Sequence, residues 1–135
     1  MPIEIQSLTP LLQVFDMPAS LHFYRDLLGF SLISHSPPYD RDGRFHWALL
    51  RLNGFDLMLN TAYDEGQQPQ VPDPARVTAH QDTGIFFGCE DVDAAYNHLL
   101  AHGLDVKQPA DTGYGMRQLY VTDPDRYSLC FQRRI

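Results

Sequence analysis

The chain has 135 residues, of which 44% are hydrophobic, and it carries a formal net charge of −7. This length and composition predict a single domain spanning residues 1–135 with an ordinary hydrophobic core. The excess of acidic residues opposes nucleic-acid binding, because neutralising phosphates requires a basic surface. The sequence contains neither a signal-peptide pattern nor an apolar run long enough to span a membrane, so we expect a soluble cytoplasmic protein without membrane association.

The first segment predicts a strand followed by an amphipathic helix. The run Ile5 to Phe15 is typical of a strand. Asp16 then precedes Pro18 and an apolar series with helical spacing, which indicates a helix with proline in its first turn. Gly29 is placed to end that helix in a left-handed conformation, and residues 30–34 predict a second strand.

The strongest local signal is a hairpin centred on Asn53 and Gly54. A two-residue turn pairs Leu52 with Phe55, so the alternation of side chains assigns every hairpin residue to one of two faces. The apolar face, suited to covering by a helix, carries Ala48, Leu50, Leu52, Phe55, Leu57 and Leu59. The mixed face carries Phe45, Trp47, Leu49, Arg51, Asp56, Met58 and Asn60, with Arg51 and Asp56 predicted to form an ion pair across the strands.

A diverged second copy of this pattern follows a proline-rich connector. Residues 85–89 predict a strand, Asp91 or Asp93 can start a helix, and Gly103 can end it as Gly29 ends the first helix. Residues 106–109 predict a short edge segment, and residues 116–132 predict a second hairpin. Its apolar face carries Leu119, Val121, Leu129 and Phe131, and its mixed face carries Tyr114, Met116, Gln118, Tyr120, Ser128, Cys130 and Gln132.

Two repeats of strand, helix and three strands predict an α+β fold. Module 1 covers about residues 5–63, the connector about 64–82 and module 2 about 83–135. Because each sheet has one apolar and one mixed face, we expect the helices to cover the apolar faces and the mixed faces to line a cleft. The alternative is that the two mixed faces pack together as an irregular core.

Three segments resemble the glyoxalase, bleomycin-resistance and extradiol-dioxygenase superfamily, also called vicinal oxygen chelate proteins. They are TPLLQVFDMPASLHFYRDLLGF, GCEDVDAAYNHLLAHG and GYGMRQLYVTDPDRYSLCF, and with the first hairpin they cover nearly the whole chain. The resemblance implies paired βαβββ modules curved around a cleft and assembly as a homodimer, with modules that can be exchanged between subunits.

Catalytic members of that superfamily hold a metal ion between the first and fourth strands of each module. The positions that the resemblance aligns with those ligands are Thr9, Met58, Ile85 and Cys130, none of which is a histidine or a carboxylate. A single thiol does not make a site for the hard divalent ion that such chemistry needs. We therefore expect no bound metal and no other cofactor.

The absent ligands, the GYGMR and DPD motifs and the acidic balance resemble the bleomycin-resistance branch, which sequesters a drug without metal in clefts at a dimer interface. The residues expected to line the site are Trp47, Leu49, Asp56, Met58, Phe87, Tyr114, Met116 and Cys130. Aromatic faces would stack on a flat heterocycle, and Asp56 or an acidic residue of the connector would meet a cation, so the expected ligand is a cationic, aromatic, bleomycin-like molecule.

An enzyme remains the alternative: a metal-dependent glyoxalase-type lyase or dioxygenase with divergent ligands, for example Asp56, His35 or His46. Without a third ligand, His98 and His102 read as surface residues, and His80 in the connector reads as solvated. One departure from the family is Arg126, which stands where the turn after Asp-Pro-Asp usually has glycine. A positive φ there would cost an arginine on the order of 1 kcal/mol.

Overall fold

A computed structural model describes residues 2–135, which divide into two compact units at Gln70 and Val71. The division lies inside the predicted connector. Each unit holds one four-stranded sheet of mixed strand directions together with helical segments, which is the predicted α+β fold class. Within the described residues, every helix is too short or too polar to cross a membrane.

The first unit has the predicted order of strand, helix and three strands. Its sheet order is β1-β4-β3-β2, with β1 parallel to β4 and the other neighbours antiparallel. The elements are β1 Leu11–Val14, α1 Met17–Leu21 with a π-helical continuation His22–Leu27, β2 Ser31–His35, β3 Trp47–Leu52 and β4 Phe55–Thr61.

The signals at the helix ends and the hairpin turn are confirmed. The Asp16 side chain accepts a hydrogen bond from the Ala19 amide at 3.3 Å and so caps α1. Gly29 follows the π-helical segment with a φ of +96°, the left-handed conformation expected of it. Asn53 and Gly54 have φ values of 52° and 82°, as a tight hairpin turn requires.

The predicted first strand is too long, because only four of its residues join the sheet. Pro10 has no amide hydrogen to donate, although its carbonyl accepts from the Met58 amide at 2.9 Å. In the parallel register Leu11 lies beside Met58, so β4, which begins three residues earlier at Phe55, offers no partner to the residues ahead of Leu8. The side chains of Ile3, Ile5 and Leu8 are exposed.

The core of the first unit lies on the predicted apolar face of its sheet. Leu50 and Leu59 are fully buried there, and Tyr24 of the helical segment is buried as well. Phe55 departs from the prediction, since it is 75% exposed at the hairpin end of β4. Alternation gives it the face of Leu57, but its position beside the turn leaves the ring in solvent.

The second unit repeats the pattern with the sheet order β5-β8-β7-β6, in which β5 is parallel to β8. Its elements are α2 Pro74–His80, β5 Gly84–Gly88, α3 Val92–Ala101, β6 Ala110–Asp111, β7 Met116–Thr122 and β8 Ser128–Arg134. Asp91 caps α3 through a bond from the Ala94 amide at 2.9 Å, and Gly103 follows with a φ of +84°. The predicted edge segment at 106–109 forms four residues later, as β6.

The segment predicted only as a proline-rich connector contains a helix, α2. Asp73 caps it, and Pro74 occupies the first turn, where a missing amide hydrogen costs nothing. His80 at its end is not solvated as predicted. Its ring stacks on Tyr127 with centroids 4.0 Å apart, and its Nδ1 lies 2.7 Å from the Asp125 carbonyl oxygen.

Candidate functional site

The mixed face of the first sheet brings together three of the predicted ligand-lining residues. Leu49 and Met58 are register partners on β3 and β4, and Trp47 is the partner of Asn60 one step along the same face. All four side chains are half-buried. The Asn60 side-chain amide donates to Gln13 Oε1 at 3.3 Å, which places a polar edge beside this apolar surface.

Asp56 lies on the same face but already has a cationic partner. Arg51 donates to its two carboxylate oxygens from Nε at 2.6 Å and Nη2 at 3.2 Å, which confirms the predicted ion pair. The hydrogen bond from Arg51 lowers the pKa of the Asp56 carboxyl. A ligand cation would have to displace Arg51, so Asp56 is a poorer cation site than the sequence indicated.

The mixed face of the second sheet carries Tyr114, Met116 and Cys130 beside a chain of amides. The Tyr114 hydroxyl donates to Gln118 Oε1 at 3.1 Å, and Gln118 Nε2 donates to Gln132 Oε1 at 3.0 Å. Tyr114 is 70% exposed, whereas Cys130 is buried and burial raises the pKa of its thiol. Tyr114 therefore offers a ring to a ligand, while Cys130 contributes as a buried apolar group.

The prediction that Phe87 shares this face is wrong. Phe87 is the register partner of Phe131, and their rings stack with centroids 5.0 Å apart. Phe131 in turn pairs with Leu119, which is fully buried on the apolar face. Because neighbouring register partners share a face, Phe87 belongs to the apolar side.

Phe86 takes the place that the sequence had assigned to Phe87. It is the register partner of Cys130, it is 54% exposed, and its ring lies edge-on to Tyr120 with centroids 6.4 Å apart. Tyr120 is 52% exposed. The run Ile85, Phe86 and Phe87 is apolar throughout, so the sequence could not reveal which rings face out. Only the parallel register with β8 decides it.

The parallel registers of β1 with β4 and of β5 with β8 revise the positions aligned with the family's metal ligands. Thr9 lies ahead of β1, and the strand residue beside Met58 is Leu11. Ile85 pairs with Leu129 on the apolar face, so the residue beside Cys130 is Phe86 rather than Ile85. Residues 2–135 also contain no cluster of three or more histidine, cysteine, aspartate or glutamate side chains arranged to hold a metal ion.

The histidines considered as alternative ligands have other partners. His35 stacks on Phe45 with centroids 4.2 Å apart, and its Nδ1 lies 2.7 Å from the Ser36 carbonyl oxygen. His46 stacks on Tyr39, also at 4.2 Å, and its Nδ1 lies 2.6 Å from Thr61 Oγ1. His46 is thus a half-buried, hydrogen-bonded histidine.

Sequence reasoning missed a cavity of about 410 Å³ in the first unit, where β1 ends and α1 begins. It lies between the loop that follows β2 and the chain that follows β4. Its lining is Phe15, Asp16, Met17, Pro18, Tyr39, Asp40, Arg44, His46, Thr61, Tyr63, Asp64, Glu65, Gly66 and Gln68. The aromatic residues Tyr39, between β2 and β3, and Tyr63, after β4, were the available signal.

Comparison with known proteins agrees with the paired-module fold. Residues 5–131 match the family model described as "Glyoxalase/Bleomycin resistance protein/Dioxygenase superfamily". The bleomycin resistance protein of Geobacillus stearothermophilus is 30% identical over 133 residues, covering 93% of this chain and 95% of that protein.

Two solved structures show the same fold. One is a glyoxalase/bleomycin resistance protein/dioxygenase from Nocardioides, with a TM-score of 0.73, 22% identity, and coverage of 99% of this chain and 87% of that one. The other is TnmS3, an antibiotic binding protein from Streptomyces sp. CB03234, with a TM-score of 0.69, 23% identity, and coverage of 99% and 100%. By the family match and the relative at 30% identity, this chain belongs to the glyoxalase/bleomycin resistance protein/dioxygenase superfamily.

Proposed function

We propose that this chain is a cytoplasmic, metal-independent protein that binds a bleomycin-like molecule and sequesters it in a cleft at a homodimer interface. The observation that carries the proposal is the 30% identity to a bleomycin resistance protein over 93% of the chain. The net charge of −7 supports a cationic ligand, because the field of an acidic protein concentrates cations near its surface.

The mixed faces of the two sheets supply the surfaces that such a ligand needs. On the second sheet, the exposed rings of Phe86, Tyr114 and Tyr120 can stack on a flat heterocycle. Close to them, the amides of Gln118 and Gln132 can exchange hydrogen bonds with a polar ligand. On the first sheet, the half-buried Trp47 and its neighbours offer a second aromatic and aliphatic surface.

Metal independence rests on the pairs of residues that lie beside each other on β1 and β4 and on β5 and β8. Leu11 beside Met58 and Phe86 beside Cys130 provide alkyl, thioether, phenyl and thiol groups. A hard divalent ion acting on an oxygen substrate prefers oxygen and imidazole ligands, which these positions lack. Binding and capture of the ligand are therefore favoured over turnover.

The drug assignment is tested by titrating the protein with copper-free and copper-loaded bleomycin while recording tryptophan fluorescence. Trp47 is the chain's one tryptophan, so the signal reports on the mixed face of the first sheet. We expect a saturable change with both forms of the drug. A flat titration to high micromolar drug would remove bleomycin as the ligand.

A pair of variants tests whether the exposed rings of the second sheet contact the bound drug. Replacing Tyr120 with alanine removes a stacking surface, and we expect binding to weaken about twofold to tenfold, the range of one aromatic pair. Phe55→Ala is the matched control, because Phe55 is an exposed aromatic beside a hairpin turn. Equal affinities for the two variants would show that the second sheet's face does not contact the drug.

Two further measurements test the remaining parts of the proposal. Elemental analysis of the dialysed protein should find no stoichiometric metal, and bound nickel, zinc or iron would instead favour a lyase or dioxygenase. Light scattering should give twice the chain mass of 15.4 kDa. A monomer that still binds the drug would contradict the dimer-interface site.

A further inference from the structure

We propose that the cavity of the first unit, defined above, binds a small organic cation: an ammonium or amidinium group carried on an apolar body. The inference is independent of the proposed drug site. None of the residues predicted to line that site contributes to the cavity, whose volume of about 410 Å³ suits a ligand of modest size.

The inner wall of the cavity is apolar and aromatic. Met17 is buried, Phe15 and Tyr63 are half-buried, and the rings of Phe15 and Tyr63 meet edge to face with centroids 6.3 Å apart. Both residues line the cavity, so a bound group would meet an aromatic wall. A cation over a tyrosine or phenylalanine ring is attracted by the negative face of the ring.

Arg44, a cationic side chain that lines the cavity, is already paired, so it does not favour an anionic ligand. Arg44 donates from Nε to Asp40 at 2.6 Å, and its guanidinium carbon lies 5.9 Å from the centroid of the Tyr39 ring. The Asp40 carboxylate also accepts from the Arg44 and Asp42 amides. These bonds to Asp40 hold its pKa below the usual range, so it stays charged and keeps Arg44 neutralised.

The cavity wall also contains a hydrogen-bonded pair of side chains, Thr61 and His46. Thr61 Oγ1 donates to the Tyr63 carbonyl oxygen at 3.2 Å, which uses the hydroxyl's single hydrogen. The same oxygen lies 2.6 Å from His46 Nδ1. The His46 imidazole is held by Thr61 and by the stacked ring of Tyr39, and it adds a polar ring to the cavity wall.

Two carboxylates at the cavity complete the selection for a cation. Asp16 is occupied in capping α1. The side chains of Asp64 and Glu65, by contrast, have no hydrogen-bond or ion-pair partner within residues 2–135, and both are exposed. An aromatic wall and two unpaired carboxylates match an organic cation and oppose an anion.

The probes are benzylamine, its neutral analogue benzyl alcohol, and benzoate, each titrated into 15N-labelled protein and followed by amide chemical shifts. We expect the amides of Tyr63, Asp64 and Gly66 to respond to benzylamine. Affinity should fall at least fivefold for benzyl alcohol, and benzoate should not bind. Equal binding of amine and alcohol, or shifts confined to other regions, would overturn the proposal.

The double variant D64N/E65Q tests the carboxylates without changing side-chain size. We expect it to weaken benzylamine binding about fivefold, because exposed ion pairs contribute modestly. The control E90Q/D105N removes two exposed acids from the second unit and should retain wild-type affinity. If the two double variants bound benzylamine equally, any loss of affinity would come from net charge alone, and a specific site at Asp64 and Glu65 would be refuted.

A third variant addresses the aromatic wall, and the two proposals can fail separately. Tyr63→Leu should weaken benzylamine more than benzyl alcohol, since the alcohol has no charge for the ring to attract. Equal losses for both probes would contradict a cation-selective ring.

Bleomycin binding reported by Trp47 tests the other site, so either ligand can bind while the other does not.

Discussion

Arg126 occupies a backbone conformation that favours glycine, and replacing it should stabilise the protein. Its φ is 71°, where a side chain costs about 1–2 kcal/mol. Its amide donates to the Asp123 carbonyl oxygen at 3.0 Å, a bond that any residue can make. Glycine relieves the steric cost but loses about 0.5–1 kcal/mol through the greater freedom of the unfolded chain. The net gain for Arg126→Gly therefore lies within about 0–1.5 kcal/mol, centred on about 0.75 kcal/mol.

Urea denaturation measures this gain as a higher midpoint with an unchanged slope. In thermal unfolding, a gain of this size raises Tm by about 2–5 °C for a chain of 135 residues. Arg126→Ala is the control, because it removes the guanidinium but retains the strained φ, and it should stay near the wild type. If alanine stabilises as much as glycine, the side chain rather than the backbone conformation is responsible, and the reasoning is wrong.

Two further predictions concern the core and one surface network. Leu50→Ala should lower the free energy of unfolding by about 2–5 kcal/mol, because Leu50 is fully buried, whereas Phe55→Ala should change it by less than about 0.5 kcal/mol; similar losses in urea denaturation would contradict the difference in burial between the two side chains. Arg117 bonds to Asp93 at 2.7 Å and to Asp111 at 2.9 Å, and the bond from Arg117 lowers the pKa of Asp93. Since a lowered carboxyl pKa stabilises the fold above the unfolded value near 4 and this contribution is lost as pH falls, Arg117→Gln should destabilise the protein at pH 7 and have little effect near pH 2. A loss that does not depend on pH would show that Arg117 acts through packing.

Local chemistry explains which parts of the fold were predictable. A cap such as Asp16 or Asp91 acts within three residues, and a left-handed stop such as Gly29 acts on its own backbone. The turn at Asn53 and Gly54 fixes the antiparallel register of its hairpin, and with it the faces of both strands. Such signals need no knowledge of distant residues.

Parallel pairing is decided differently, and the candidate site depends on it. The strands β5 and β8 are about forty residues apart in the chain, so no turn sets their register. A shift of one residue exchanges the faces, and the predicted choice of Phe87 in place of Phe86 was such a shift. Because the register of parallel strands is not set by a turn, the predicted placement of Thr9 beside Met58 and of Ile85 beside Cys130 was also wrong.

The sequence by itself determined the family, the paired modules, the helix ends and the hairpin faces, because each depends on short-range geometry or on a pattern that spans the chain. Tertiary structure alone decided which rings face outward on the second sheet and that a cavity forms where β1 meets α1. These features arise where residues distant in sequence meet, and residue order alone does not specify the distances between them.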